Sequence, residues 1–406
     1  MPARSPNGTS PLSAGPGLPG LEARSGRSPK WNSPGAVSAR DSAVRRLGGL
    51  LWDPYPALVT LQSAGHVPID VDGAIRRLRG RIHTTPLLHA RLLDQAVGAR
   101  VWLKAETFQR SGSFKARGAF NAALVGLEGG DLRGLAAFSS GNHGQAVALA
   151  ASELGLAATV VMPATSSLVK IAAVRGYGAT VVTEGVTLLN RELVAAREAA
   201  EGDLILIHPH DDPQVIAGQA TAGVELAQQS LDRGVEAPVV LVPVGGGGLI
   251  SGVAAALSRW LPQARIVGVE PATGNDAQQS LRAGRLIELN APPLTSADGA
   301  ATLRLGQLPW QIIQDQIGEI VTVSERQIAE ACWWLWSRCK LVVEPTGAMT
   351  VAAALAGVGS LSRDGGTKPS EIICFLSGGN CLPAQIASLV GDPTSPVLRG
   401  EGREPG

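Results

Sequence analysis

A doubly wound α/β fold with largely parallel sheets is the class this sequence predicts, and three features predict it. Short β-branched runs alternate with Ala/Leu-rich helical patterns along most of the chain, the spacing expected when strands are joined by crossover helices. Glycine and serine clusters fall where the strand-like runs give way to helical ones, which is where such folds place their chemistry. At 406 residues and 45% hydrophobic content, the chain can fill more than one core, so two open-sheet domains are expected.

Taken in order, residues 1–67 carry Pro, Gly, Ser and Arg with little periodicity and read as a low-complexity, mostly disordered extension. The texture changes at Ile69, where Asp70-Val-Asp-Gly-Ala-Ile-Arg-Arg-Leu-Arg79 reads as a short capped helix. Strand-like runs follow: Arg100 to Lys104, Ala136 to Ser139, Ala158 to Met162, Ala179 to Thr183, Leu204 to His208, Val239 to Pro243, Arg265 to Glu270 and Glu371 to Leu376. The helix near Ala329-Glu-Ala-Cys-Trp-Trp-Leu-Trp336 is apolar over a wide face, which suits a core position or a dimer contact. Residues 396–406 read as a tail.

A net charge of +1 with 17% charged residues gives no basic field for nucleic acid or an anionic membrane, and 4% aromatics leave little for base stacking. No run of 18 apolar residues and no apolar signal region appears, so a cytoplasmic protein acting on a small molecule is expected. The four cysteines, Cys332, Cys339, Cys374 and Cys381, have neither Cys-x-x-Cys nor His at ligand spacing and read as buried thiols.

Four stretches carry chemistry. In Glu106-Thr-Phe-Gln-Arg-Ser-Gly-Ser-Phe-Lys115-Ala-Arg-Gly118, Lys115 sits between a strand-like run and a helical one. Phe108 and Phe114 would disfavour its ammonium form, and the amides of Ser111 to Ser113 could hold an anion, so its amine suits Schiff-base chemistry. An ordinary surface lysine in a first helical turn is the competing account. Ser139-Ser-Gly-Asn-His-Gly144 precedes a helix and offers an anion site for a substrate carboxylate, with Asn142 able to bond a phenolic oxygen and Ser140 able to carry a proton; simple N-capping by Ser and Asn competes. Gly245 to Gly248 form four glycines between a buried strand and a helix, a pattern suited to a phosphate, although a dinucleotide loop with Glu270 as its ribose acid also fits loosely. Ser377, in Phe375-Leu-Ser-Gly-Gly-Asn-Cys381, can hydrogen-bond a heterocyclic nitrogen without keeping it protonated. A reactive lysine, an asparagine for a phenol, a phosphate loop and a serine for a ring nitrogen are together the handles of pyridoxal 5′-phosphate (PLP).

On those residues the chain resembles the fold type II PLP enzymes, tryptophan synthase β-like, and within them the serine/threonine dehydratase and serine racemase group, from about Ile69 to Ala387. Ser113-Phe-Lys-Ala-Arg-Gly118 looks like that group's lysine signature. The resemblance implies a large domain at 68–132 with 212–395, a small domain at 133–211 and a homodimer. It implies that Lys115 carries the cofactor, Phe114 packs near its ring, Asn142 meets the ring oxygen, Gly245, Gly246, Gly247, Gly248 and Leu249 hold the phosphate, and Ser377 takes the ring nitrogen. Ser139, Ser140, Gly141, Asn142 and His143 would bind the substrate carboxylate. Glu270, Gly274 and Asp276 resemble a divalent-metal loop suited to Mg²⁺ or Ca²⁺; an Asp276 helix cap with a solvated Glu270 is equally open. Arg191 reads as a solvated helix arginine in place of a substrate contact, and His210 stands where related chains often carry Asn. The implied activity is α,β-elimination from a β-hydroxy amino acid to a 2-oxo acid and ammonia, as in threonine/serine ammonia-lyases. Serine racemisation, with Ser140 returning the proton, or dehydration of 3-hydroxyaspartate or 3-phenylserine would use the same site.

Overall fold

In the computed structural model, residues 68–130, 132–139, 141–361 and 369–390 are described. The extension expected at 1–67, the tail at 396–406 and Ser140 lie outside them. The strands are β1 (Leu87–His89), β2 (Arg100–Ala105), β3 (Gly134–Phe138), β4 (Ala157–Val161), β5 (Thr180–Val182), β6 (Ile205–Leu206), β7 (Val239–Pro243), β8 (Arg265–Pro271), β9 (Glu319–Val323) and β10 (Glu371–Leu376). They form two sheets, ordered β1-β2-β10-β7-β8-β9 and β5-β4-β3-β6. Every pairing is parallel except β1 with β2.

The central strands are apolar on both faces because helices cover both sides of a parallel sheet. Along β10, Ile372, Cys374 and Leu376 enter one hydrophobic cluster, while Ile373 and Phe375 enter the cluster on the opposite face. That is the two-residue period of a pleated strand. The smaller sheet packs Leu135, Ala137, Ala158 and Val160 beneath the helix Asn142–Leu154. The β9 strand escapes the sequence reading because it is a five-residue edge strand with two half-buried positions, Glu319 and Thr322.

Four strands lead into the segments that the sequence marks out. The helix Lys115–Glu128 follows β2, Asn142–Leu154 follows β3, and Gly248–Trp260 follows β7, while a turn at 377–380 follows β10. The predicted capped helix is present as Val71–Leu78, with Asp70 accepting from the Gly73 amide at 2.8 Å. All four cysteines are free thiols, two buried and two half-buried.

A buried ionic cluster ties the first of these junctions down. Arg117 donates to Glu106 at 2.8 and 2.9 Å and to Glu225 at 2.7 and 2.8 Å, and Lys104 donates to Glu225 at 2.8 Å. Arg117, Glu106 and Lys104 are fully buried. Replacing Arg117 with Met leaves two carboxylates without their guanidinium and is expected to cost about 3–5 kcal/mol of unfolding free energy. A urea denaturation midpoint equal to wild type would refute that expectation.

Candidate active site

A cavity of about 370 Å³ opens at the carboxyl ends of β2, β3, β7 and β10, and its lining includes Phe114, Lys115, Ser139, Gly141, Asn142, His143, Gly245 to Leu249 and Ser377. The four sequence stretches, distant from one another along the chain, therefore share one space.

Lys115 donates from Nζ to the Pro209 carbonyl at 2.7 Å and lies 5.0 Å from the centre of the Phe114 ring. Burial pulls its pKa from 10.5 to about 8, with the negative Glu344 opposing. Two expectations about its surroundings are corrected. Phe108 is half exposed to solvent, and of the 111–113 amides Gly112 N–H is already given to Gln109 O at 2.9 Å.

Asn142 does not cap its helix. Its Nδ2 donates to both Glu344 oxygens at 2.8 and 3.0 Å, and its Oδ1 accepts from Asn380 Nδ2 at 2.9 Å. Ser139 Oγ accepts from the Gly141 amide at 3.0 Å, a local turn beside the helix start. His143 donates from Nε2 to Ile207 O at 2.9 Å, and burial, reinforced by the Lys115 charge, lowers its pKa to about 3. It is therefore neutral and leaves Nδ1 as an acceptor.

The glycines are required by the chain around them as well as by any ligand. A Cβ at Gly246 would stand 2.3 Å from the His210 ring, one at Gly245 2.7 Å from Gly299 O, and one at Gly247 2.7 Å from Pro309 Cβ. Gly247 also has φ +90°, and the Gly248–Trp260 helix behind it lacks a side-chain cap. Its leading amides and dipole are open to an anion. Ser377 is buried, and its Oγ has no partner among the described residues.

The Glu270, Gly274 and Asp276 loop lies apart from this lining. Glu270, not Asp276, caps the helix Asp276–Ala283, accepting from the Ala277 and Gln278 amides at 3.0 and 2.8 Å. It is buried and not solvated, and it lies off the cavity lining that the glycines share, which removes the dinucleotide reading. Burial, then the neighbouring Asp276, pushes the Glu270 carboxyl well above the usual range, and burial raises Asp276 to about 7. Asp276 Oδ2 is buried without a partner. Among the described residues no three His, Cys, Asp or Glu side chains gather as a metal cluster.

Several further residues line the cavity. Arg191, expected in solvent, lines the cavity with its guanidinium 5.9 Å from the Phe138 ring centre, and burial lowers its pKa. Lys170 pairs with Asp298 across the lining, and Glu344 and His210 complete it. Lys170, Asp298 and Glu344 belong to no motif and arrive through contacts between distant segments, whereas Arg191 and His210 are singled out in the sequence without being placed on the lining.

The sequence matches the family model described as "Pyridoxal-phosphate dependent enzyme" over residues 78–378. The chain belongs to this family. It is 40% identical over 323 residues to the L-threo-3-hydroxyaspartate ammonia-lyase of Saccharomyces cerevisiae, covering 79% of this chain and 95% of that one. It is 39% identical over 313 residues to the serine racemase of Schizosaccharomyces pombe, covering 77% and 93%. The crystal structure of the T.th. threonine deaminase is similar at TM-score 0.72 and 48% identity, covering 77% of this chain and 98% of the other. The cavity fits the family's cofactor: the unpartnered Ser377 hydroxyl, the open helix start after Gly247 and the desolvated Lys115 amine suit its ring nitrogen, phosphate and aldehyde. Replacing Gly247 with Ala forces a side chain into positive φ against Pro309, a strain of about 1–3 kcal/mol. Absorbance titration with PLP should show binding weakened at least about fivefold, and unchanged affinity would contradict the loop assignment.

Proposed function

We propose that this PLP-dependent lyase converts a β-hydroxy amino acid to a 2-oxo acid and ammonia by α,β-elimination. The observation that carries the reading is the Lys115 amine, desolvated to a pKa of about 8, opening on the same cavity as the unpartnered Ser377 hydroxyl. When bound, PLP supplies an aldehyde for attachment and an electron sink for the bond broken at Cα. Lys115, once free, takes the Cα proton. Gly245 to Gly248 and the Leu249 amide hold the phosphate, Asn142 the ring oxygen, and Ser377 the ring nitrogen without fixing a proton there. The segment from Ser139 to His143, opening the helix Asn142–Leu154, takes the substrate carboxylate. Replacing Lys115 with Ala should abolish ammonia release and borohydride labelling; wild-type ammonia release by that variant refutes the assignment.

Within the β-hydroxy amino acids, a second carboxylate is favoured by Arg191, which lines the cavity and whose guanidinium has no ion-pair or hydrogen-bond partner among the described residues. Hydroxyaspartate ammonia-lyases are among the relatives, at 40% and 42% identity, beside the threonine deaminase at 48%, so the choice of 3-hydroxyaspartate rests on Arg191. A charge-assisted hydrogen bond is worth about 1.5–3 kcal/mol, so Arg191→Gln should raise KM for 3-hydroxyaspartate about tenfold or more and leave threonine nearly unchanged. Equal effects on both substrates would sink this choice. Racemisation at the same site is read by assaying L-serine for D-serine against pyruvate.

The two-domain partition at 133 and 211, homodimeric assembly and a cytoplasmic location belong to the same proposal. So does a divalent cation at Glu270, Asp276 and the Gly274 carbonyl: two adjacent buried carboxyls, one with an unpartnered oxygen, suit Mg²⁺ or Ca²⁺ completed by water. Either ion should raise the melting temperature of EDTA-treated protein, and Asp276→Asn should remove the rise. Ion-independent melting of the wild type would exclude the site.

A further inference from the structure

We propose that Glu344 is a positioning residue that, when ionised, holds the Asn142 amide so that an N–H remains available to the cofactor's phenolic oxygen. The proposal rests on the reading of the cavity as a PLP site. Glu344 immediately precedes the helix Pro345–Ala356, is buried, lies on the cavity lining, and bridges two cofactor-facing segments. Towards the Asn142–Leu154 helix, both carboxylate oxygens accept from Asn142 Nδ2. Towards the 377–380 turn, its backbone N–H donates to Gly378 O at 3.0 Å, and the nearby Asn380 backbone amide favours the ionised carboxylate. A Cβ on Gly378 would stand 2.5 Å from Glu344 Oε1, so that turn is glycine where the carboxylate presses on it.

The orientation of an amide is decided by its partners, and here the partners leave one solution. An ionised carboxylate only accepts, so it selects Nδ2 of Asn142. On the other side Asn380 Nδ2, fixed by its bond to Ser111 O at 2.7 Å, donates and so selects Oδ1. The remaining Nδ2–H is left to the cavity that Asn142 lines. Protonating Glu344 turns one of its two acceptors into a donor and leaves Asn380 as the firm anchor.

That protonation falls in an accessible range. Burial first, then the negative Asp298, raises the Glu344 pKa to about 7, while Asn142, Lys170 and the Asn380 backbone amide oppose. The other titratable groups that sense it are Lys115, Cys332 and Cys381. Asn142 is thus held increasingly as pH rises through about 7 and loosened as it falls through that value.

The test is the absorption spectrum of the bound coenzyme, followed from about pH 6 to about 9 in wild type, Glu344→Gln and Glu344→Asp. The wild-type band ratio should change with a midpoint near 7, the Gln variant should lose that transition while retaining its full coenzyme content, and the Asp variant should restore it. At the upper pH, Gln should lower kcat about tenfold, less than the about 10²–10³ for removing an oriented donor outright because the Asn142 amide is loosened and not lost, with KM moved less than about twofold. Retention of the wild-type transition in Glu344→Gln, or its absence in a coenzyme-replete Glu344→Asp, overturns the inference. Should Glu344→Gln fail to fold, a wild-type chromophore that does not change with pH overturns it alone. A protein that stays colourless with added PLP instead defeats the cofactor reading beneath it.

Discussion

The buried cluster of Arg117, Glu106, Glu225 and Lys104 is the constraint on which the rest of the site depends. Four charges removed from water survive only because each faces opposite sign and further hydrogen bonds fill the remaining positions, here from Thr85, Thr221 and Gln229. Glu106 and Glu225 outweigh the burial that would lower Arg117 and hold it above its usual range; Arg117 and Lys104 likewise hold Glu225 down. Burial still dominates at Lys104, whose pKa is lowered. Arg117 lies two residues beyond Lys115, about 200° around a helix. Fixing the guanidinium in the core therefore turns the lysine toward the cavity. The cluster also spans β2, the turn after it and the helix Pro213–Leu231, so the junction bearing Lys115 is fixed from three segments.

From that junction, order passes to the other side of the cavity through the backbone. Phe114 N–H donates to Ser377 O at 3.0 Å, and Gly379 N–H to Gly112 O at 2.9 Å. Asn380 then reaches Ser111 and Asn142. Lys115, Ser377 and Asn142 are thus positioned by one connected set of bonds, which explains why a serine hydroxyl with no partner can persist in a buried position: the turn carrying it is paired on its own account.

These arrangements divide what is legible in a sequence from what is not. The parallel sheets, the helix starts and the residues Lys115, Asn142, Gly245 to Gly248 and Ser377 can be read because they lie at junctions where strand pattern gives way to glycine and helix pattern. Glu344 cannot, because Val343-Glu-Pro-Thr346 looks like an ordinary helix start, and its role comes from residues 142 and 380. Glu270 misleads because position along a strand does not reveal which helix start lies beyond it. The glycine run is legible as a close approach but not as an approach by His210. Phe108 misleads for the converse reason: an aromatic near a reactive residue in sequence need not face it.

The charge balance of the cavity follows from the same contacts. Lys170 is engaged by Asp298, and Glu344 by Asn142. Burial keeps His143 and His210 neutral, with the neighbouring positive groups adding to the effect. Lys115 is partly discharged at neutral pH by its own burial. What remains is Arg191, a permanent cation whose stacking on Phe138 fixes it without neutralising it. With Lys170 paired, the histidines neutral and Glu344 hydrogen-bonded, Arg191 is the group on which the proposed selection among amino acids turns, by what their side chains offer its guanidinium. With the helix starts proposed to serve one phosphate and one carboxylate, the discriminating feature we propose is a further anion on the substrate itself.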